Sequence, residues 1–220
     1  MPRIWLWAIM LTMLGSSCGV ADELDRPFQN WQVHRFRNVP KQRTDFTCGA
    51  ASLSIISQHY YGKTIAEPQF TEAIRKMYND EEWKEKEKNG LSLLDMKRAA
   101  EKFGFAAEGL KMSLDQLRQL KGPVVIHLDK GFIEHFAVFK GIQGDRAYIA
   151  DPITGNSRMP LYRFTHTWTG YALAVWIKGQ NLPATNPLAV DPNDRPNELT
   201  ALRDALYARP LTNAFSPQAQ

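Results

Sequence analysis

The segment QRTDFTCGAASLSII, residues 42–56, places a cysteine at the start of an apolar helix. Cys48 is followed by three small residues and then by a largely apolar run that ends at Tyr61, directly before Gly62. A glycine in that place is typical of a helix end. The segment therefore predicts a broadly buried helix from Cys48 to Tyr61, with Thr47 or Cys48 as its cap.

Two interpretations of Cys48 follow from this position. A buried cysteine is common in proteins as a small hydrophobic residue. Alternatively, the unpaired N–H groups and the dipole of a helix N-terminus favour the thiolate, which is the nucleophilic form of cysteine. The choice between a structural and a catalytic cysteine depends on the compartment of the protein and on the basic groups that it offers.

The first 21 residues have the layout of a secretory signal peptide. One Arg precedes an apolar run from Ile4 to Leu14, which is too short to span a bilayer comfortably, and small residues follow up to Ala21. We predict cleavage after Ala21 and a periplasmic location; the alternative is a lipoprotein anchored to the membrane at Cys18. Either process leaves Cys48 as the single free cysteine, since the chain has two in all. An unpaired thiol in an oxidising compartment favours the catalytic interpretation.

The composition is that of one globular domain with additional terminal segments. The 220 residues are 44% hydrophobic and 23% charged, which is sufficient for a substantial core, and they carry a net charge of +4. The longest charged run, DEEWKEKEK at residues 80–88, mixes both signs. Such a run is typical of a solvated helix face, so we expect no nucleic-acid partner.

Helical patterns occupy the first half of the chain and strand patterns the second, which predicts an α+β fold with helices packed on one side of an antiparallel sheet. We expect a lead-in over residues 22–37 with a short strand near 31–39, a main domain over 38–178, and a C-terminal extension over 179–220 with one short helix at 197–208. Besides the helix after Thr47, helices are predicted at 67–78, 92–104 and 113–120, and strands at 105–112, 123–128, 134–142, 146–151, 157–164 and 170–177.

Two neighbouring strands can bring a histidine and a carboxylate onto one face of the sheet. If residues 143–145 form a three-residue hairpin loop, His135 faces Ile153 and Asp151 faces Ala137, so the imidazole and the carboxylate are diagonal neighbours. A two-residue loop would instead turn Asp151 to the opposite face. Among the five histidines of the chain, His135 is therefore the best candidate for a general base.

The stretches QRTDFTCGAA, HFAVF and DPITG together resemble the signature of the C39 cysteine peptidases, which have a papain-like fold and cut leader peptides, typically after a double glycine. The resemblance covers about residues 38–178. It implies that Cys48 is the nucleophile, His135 the general base, Asp151 the residue that orients the imidazole, and Gln42 the oxyanion donor. Thr47 departs from the family pattern, which often has Asp directly before the cysteine.

The resulting expectation is an exported cysteine endopeptidase that processes a secreted polypeptide at small residues such as Gly. The alternatives are a C39-like module that binds a secretion substrate without cutting it, and an acyl or peptidyl transferase that uses the same thioester. A stand-alone exported member resembles the peptidase of functional-amyloid export systems, whose partners would be amyloid subunits and an outer-membrane pore. No cofactor or metal is expected, because His127 and Asp129 lack a third ligand at convincing spacing.

Overall fold

The helix predicted after Thr47 is present in the computed structural model, which describes Val33 and residues 35–131, 134–186 and 188–190. Helix α1, Cys48–Ile55, is buried along its whole length and continues as one π-helical turn, Ile56–Tyr60. Gly62, with φ 65°, follows the end of this turn, in agreement with the sequence pattern. Helix α1 is thus the central helix of the core.

Three further helices surround α1. The second and third of them are α3, whose charged residues leave none of its side chains fully buried, and α4, which begins with a capping box of Ser92 and Asp95. α1, α2 and α4 pack on one another, whereas α3 lies at the periphery. The bounds are α2 Glu67–Arg75, α3 Asp80–Asn89 and α4 Leu93–Lys102.

Six antiparallel strands form one sheet in the order β1-β6-β2-β3-β4-β5. Helix α5, Leu114–Arg118, connects β1 to β2, and helix α6, Leu161–Thr167, connects β5 to β6. The α+β fold class is therefore confirmed. The strand bounds are β1 Ala106–Lys111, β2 Val124–Asp129, β3 Glu134–Gln143, β4 Arg146–Asp151, β5 Gly155–Pro160 and β6 Trp168–Trp176.

The predicted strand at 157–164 is wrong at both ends. The strand begins at Gly155 and stops at Pro160, which has no N–H to donate to a continuing ladder. The next residues form α6 instead, whose Phe164 is fully buried against the sheet. Together with Leu117 of α5, Phe164 covers the sheet face opposite to α1, so short helices cover the second face as well.

The turn between β3 and β4 has two residues, because Gln143 pairs with Arg146. The prediction of a three-residue loop is therefore wrong. Gly144 has φ 58°, as the first position of a type II′ turn requires. With this turn alone, the alternation of side chains would place Asp151 on the face opposite to His135.

A β-bulge restores the register that brings the two side chains together. The pairing shifts by one residue between Phe139 and Gly141, so Lys140 is the additional residue of β3. Beyond the bulge, Val138 pairs with Ala150, and the next residue of β4 is Asp151. Asp151 consequently lies on the same face as His135, the arrangement that the longer loop would also have produced.

The lead-in lies along the turn that connects β4 to β5. Gln42 N–H donates to the Pro152 carbonyl at 3.0 Å, and Asn156 donates from its side chain to the Arg37 carbonyl at 2.8 Å. The short strand predicted near 31–39 is wrong: of its described residues, Val33 and Arg35 are helical and 36–38 form a turn with Asn38 at φ 58°. The backbone of this segment bonds within itself, from the Val39 N–H to the Phe36 carbonyl, and accepts the side chain of Asn156 in β5.

Replacing Gly155 with alanine is expected to destabilise the fold strongly. Gly155 has φ 79°, and a Cβ added there would lie 2.4 Å from the Arg35 carbonyl oxygen. Gly104 has the same φ and open space around the added Cβ, so Gly104→Ala reports the conformational cost alone, about 1–2 kcal/mol. The collision at Gly155 should add about 1–3 kcal/mol. Urea denaturation of the two variants measures this difference; equal losses would contradict a close approach of the lead-in.

The C-terminal extension begins by packing on the domain. Leu188 is 1% exposed and belongs to the core cluster that contains Cys48, and a methyl group of Val190 lies over Gly141 at the bulge. The predicted signal peptide at 1–21 and the predicted helix at 197–208 lie outside the described residues. Within the described part of the chain, no helix has the length and apolar character needed to cross a bilayer.

Candidate active site

Cys48 occupies the first residue of α1 and is 7% exposed. Thr47 stands at the N-cap position, but its side chain makes no capping hydrogen bond to the helix, and the first turn contains no acidic residue. A typical N-cap side chain accepts a hydrogen bond from a backbone N–H of the first turn. The thiol therefore lies beside backbone N–H groups that no side chain among the described residues caps.

His135 and Asp151 meet at the end of the sheet, both buried. Nε2 of His135 lies 3.0 Å from Oδ1 of Asp151, although the N–H direction is poorly aligned with that oxygen. The Cys48 thiol is the other neighbour of this imidazole and, like Asp151, raises its pKa. The structure thus brings three of the four predicted site residues into one contact chain.

The charges of this chain stabilise one another. Burial disfavours the imidazolium, but its interactions with the neighbouring Asp151 carboxylate and Cys48 thiol outweigh that effect and raise the pKa of His135 to about 9. Burial likewise opposes ionisation of Asp151, but the hydrogen bond and charge of His135, the Ile153 N–H and the charge of Lys130 hold its pKa well below the usual range. Near neutral pH, His135 is therefore a proton donor beside the thiol.

Asp151 also begins the turn that follows β4. Its Oδ1 accepts the backbone N–H groups of Ile153 and Thr154 at 2.8 and 3.2 Å. Nζ of Lys130 lies 3.5 Å from the other carboxylate oxygen. The turn and His135 therefore share Oδ1, and Lys130 faces the remaining oxygen. These bonds fix the orientation of the carboxylate.

Gln42 lies on the loop that leads to Cys48. Its Nε2 donates to the Thr44 carbonyl at 2.9 Å, and its Oε1 is buried without a hydrogen-bond partner among the described residues. A primary amide has two N–H donors, so one remains after the bond to Thr44. The backbone N–H of Gln42 also donates to the carbonyl of Pro152, so the backbone at Gln42 is held next to Asp151.

Glu67 is a residue that the sequence interpretation missed. It is 7% exposed at the start of α2, and its carboxylate accepts the Thr47 hydroxyl at 2.6 Å and the Arg43 N–H at 3.1 Å. In the sequence Glu67 is an ordinary acidic residue in a first helical turn beside Pro68, so no local signal indicates its burial. The side chain of Thr47, the departure from the family pattern, is occupied by this contact.

His127 is placed in a different environment. Its Nδ1 lies 3.0 Å from the Thr169 hydroxyl and its ring packs against Phe136 at 4.9 Å between centroids. Within the described ranges, no group of three or more His, Cys, Asp or Glu residues could hold a metal ion. His127 thus serves packing and hydrogen bonding between strands β2, β3 and β6.

The sequence and the fold both match known peptidases. The model of the peptidase C39 family matches residues 37–180. The probable functional amyloid protease FapD of Pseudomonas aeruginosa is 34% identical in an alignment of 182 positions that covers 80% of this chain and 78% of that protein. The chain belongs to the peptidase C39 family. The resemblance of the three sequence motifs to this family is therefore confirmed.

Two solved C39 structures match the fold. The peptidase domain of Streptococcus ComA, a bi-functional ABC transporter, is 26% identical with a TM-score of 0.55, and the match covers 63% of this chain and 97% of that domain. A double glycine motif protease from an AMS/PCAT transporter, solved in complex with the leader peptide, is 29% identical with a TM-score of 0.53 over 64% of this chain and 91% of its own.

As a C39 member, the protein is a cysteine peptidase with a papain-like fold, as predicted. The roles of Cys48, His135, Asp151 and Gln42 stay predictions. The geometry that supports them consists of the contact chain from Cys48 to Asp151 and the loop that carries Gln42.

Proposed function

We propose that this C39 peptidase is an exported endopeptidase that cleaves a secreted polypeptide after small residues. Cys48 acts as the nucleophile, His135 as the general acid and base, Asp151 as the orienting carboxylate and Gln42 as an oxyanion donor. The observation that carries the proposal is the buried pair of His135 and Asp151, 3.0 Å apart, beside a thiol at an uncapped helix N-terminus.

The chemistry proceeds in two balanced steps. The Cys48 thiolate attacks the scissile carbonyl carbon, and the oxyanion is stabilised by the free N–H of Gln42 and the backbone N–H of Cys48. Collapse breaks the C–N bond, and the His135 imidazolium donates its proton to the leaving amine. Water then adds to the thioester carbonyl while neutral His135 takes a proton from the water. The Cys48 thiolate is expelled, and the carboxylic acid product is released.

The substrate class is inferred from the relatives. One relative carries the name of a functional amyloid protease, and one structural neighbour was solved with a leader peptide. We infer that the substrate is an amyloid subunit or a leader-type polypeptide with Gly before the cleaved bond, handled together with an outer-membrane secretion pore. The site of action would be the periplasm, after signal cleavage behind Ala21 or with a lipid anchor at Cys18.

A fluorogenic peptide ending in Gly-Gly-aminomethylcoumarin tests this function. We expect the purified protein to release the coumarin, and a peptide with Leu in place of the second Gly to react at least about 100-fold more slowly. Mass spectrometry with and without added glycinamide distinguishes hydrolysis from transfer by the mass of the acyl product. An intact peptide together with rapid labelling of Cys48 by iodoacetamide would contradict the substrate proposal and favour a binding module.

A further inference from the structure

The loop from Gln42 to Thr47 carries the proposed oxyanion donor and leads directly into the proposed nucleophile. The Thr44 carbonyl organises this loop from within, because it accepts Nε2 of Gln42 at 2.9 Å and the Thr47 N–H at 3.4 Å. These bonds define the shape of the loop. They do not fix the loop relative to the helices around it.

Glu67 on α2 supplies that attachment. Its Oε1 lies 2.6 Å from the Thr47 hydroxyl, and both of its oxygens lie 3.1 Å from the Arg43 nitrogen. Glu67 is 7% exposed and Thr47 is 2% exposed, so water does not compete for these bonds. Hydrogen bonds to a buried carboxylate are among the stronger ones in proteins. One side chain of α2 therefore holds the loop at two points.

The Thr47 hydroxyl has a single proton, and its neighbours decide where the proton goes. The Glu67 carboxylate is nearer, at 2.6 Å, than the Thr44 carbonyl, at 3.0 Å, and it is charged. The Thr44 hydroxyl, 3.0 Å from that of Thr47, can then donate to Thr47. The result is a relay of hydroxyl groups that ends on Glu67.

This relay has a consequence for the helix that carries Cys48. Thr47 occupies the N-cap position, where a threonine hydroxyl ordinarily accepts an N–H of the first turn. Here the hydroxyl is directed to Glu67 and makes no capping bond. The backbone N–H groups beside the thiol are kept open for an oxyanion.

We propose that Glu67 is a positioning residue for the peptidase reaction. It holds Gln42 and the backbone N–H of Cys48 towards one carbonyl oxygen, and it keeps the Thr47 hydroxyl away from that place. The inference rests on the roles proposed above for Gln42 and Cys48. Glu67 acts through the loop, so the role requires no contact of Glu67 with Cys48 or His135.

The test is a double-mutant cycle between Glu67→Leu and Gln42→Ala, measured as kcat and KM on the Gly-Gly-coumarin peptide. We expect Gln42→Ala alone to lower kcat about 100- to 1,000-fold, the usual loss of an oxyanion donor. Glu67→Leu alone should lower kcat about 10- to 100-fold with KM nearly unchanged, and less than about threefold in the Gln42→Ala background. Additive losses would overturn the proposal, because a general loss of structure does not depend on Gln42.

Two variants keep the test decisive if Glu67→Leu folds poorly. In Glu67→Gln the side-chain carbonyl can accept the Arg43 N–H while the amide donates to Thr47, so kcat should remain within about fivefold of wild type. Thr47→Val removes the hydroxyl that donates to Glu67. It should lower kcat on its own, and the loss should be much smaller in the Gln42→Ala background. A Glu67→Gln variant as inactive as Glu67→Leu, or an unaffected Thr47→Val, would contradict the proposal.

The matched control is Glu72→Leu, the same replacement on an exposed position of α2. It should leave kcat unchanged. Failure of the inference is also distinguishable from failure of the proposed function. If Gln42→Ala retains full kcat, the oxyanion role itself is wrong; if Gln42→Ala loses kcat and Glu67→Leu does not, the positioning role alone is wrong.

Discussion

Cleavage of the Gly-Gly-coumarin peptide is expected to fall on the order of 10⁴-fold or more in Cys48→Ala. In the proposed mechanism the thiol forms the covalent bond to the substrate, so its removal eliminates the acyl-enzyme route altogether. The activity that remains should be the activity that the oxyanion donors supply on their own. The measurement is kcat under saturating peptide, with circular dichroism to show that the fold is retained.

The matched control for Cys48→Ala is Ser52→Ala. Ser52 lies one turn further along the same buried helix, is 0% exposed, and its hydroxyl finds no partner among the described residues. The replacement is equally small and should leave kcat within about twofold of wild type. Substantial cleavage by Cys48→Ala would contradict the nucleophile role. An equal loss in Ser52→Ala would show that the loss arises from packing of the helix and not from the thiol.

Asp151→Ala is expected to lower kcat about 10²- to 10⁴-fold and to shift the pH profile. In the wild type, activity should fall as the pH rises through about 9, because His135 then loses the proton that the leaving amine needs. Without the carboxylate, burial dominates and lowers the pKa of His135. The basic limb of the kcat profile should therefore move to lower pH in the variant.

Asp151→Asn separates orientation from charge. The amide oxygen of Asn can still accept the imidazole N–H and the backbone N–H groups of the turn, but it carries no charge. We expect kcat to recover by at least about tenfold relative to Asp151→Ala while the basic limb stays shifted. A basic limb that remains near pH 9 in both variants would contradict the coupling between His135 and Asp151, and iodoacetamide labelling of Cys48 at each pH provides an independent reading of the thiolate.

Much of the fold could be predicted because its patterns are local. The capping boxes of α4 and α5, the glycine after α1 and the period-two strands depend on residues close in sequence. The end of β5 was mispredicted because the apolar residues after Pro160 satisfy a strand and a helix equally well. Only the burial of Phe164 under the sheet distinguishes the two.

The juxtaposition of His135 and Asp151 was predicted with the wrong loop. The sequence interpretation weighed only loop length, while the structure combines a shorter turn with the bulge at Lys140. Bulges have no reliable local signature, apart from a glycine such as Gly141 that permits an unusual backbone. The predicted loop was one residue too long, and the bulge adds one residue to β3. The two differences cancel, so His135 and Asp151 still share one face.

The candidate catalytic residues could be named from the sequence itself. A cysteine at a helix start, a glutamine six positions before it, a strand histidine and an Asp-Pro turn are one-dimensional features, and their chemistry follows from residue type and order. Tertiary structure alone decided how these residues are held. Glu67 is distant from Cys48 in the sequence, and it reaches Thr47 only because α2 packs on α1. Burial is a property of the packed chain, and it places an ordinary helical glutamate where it bonds with the loop that precedes the proposed nucleophile.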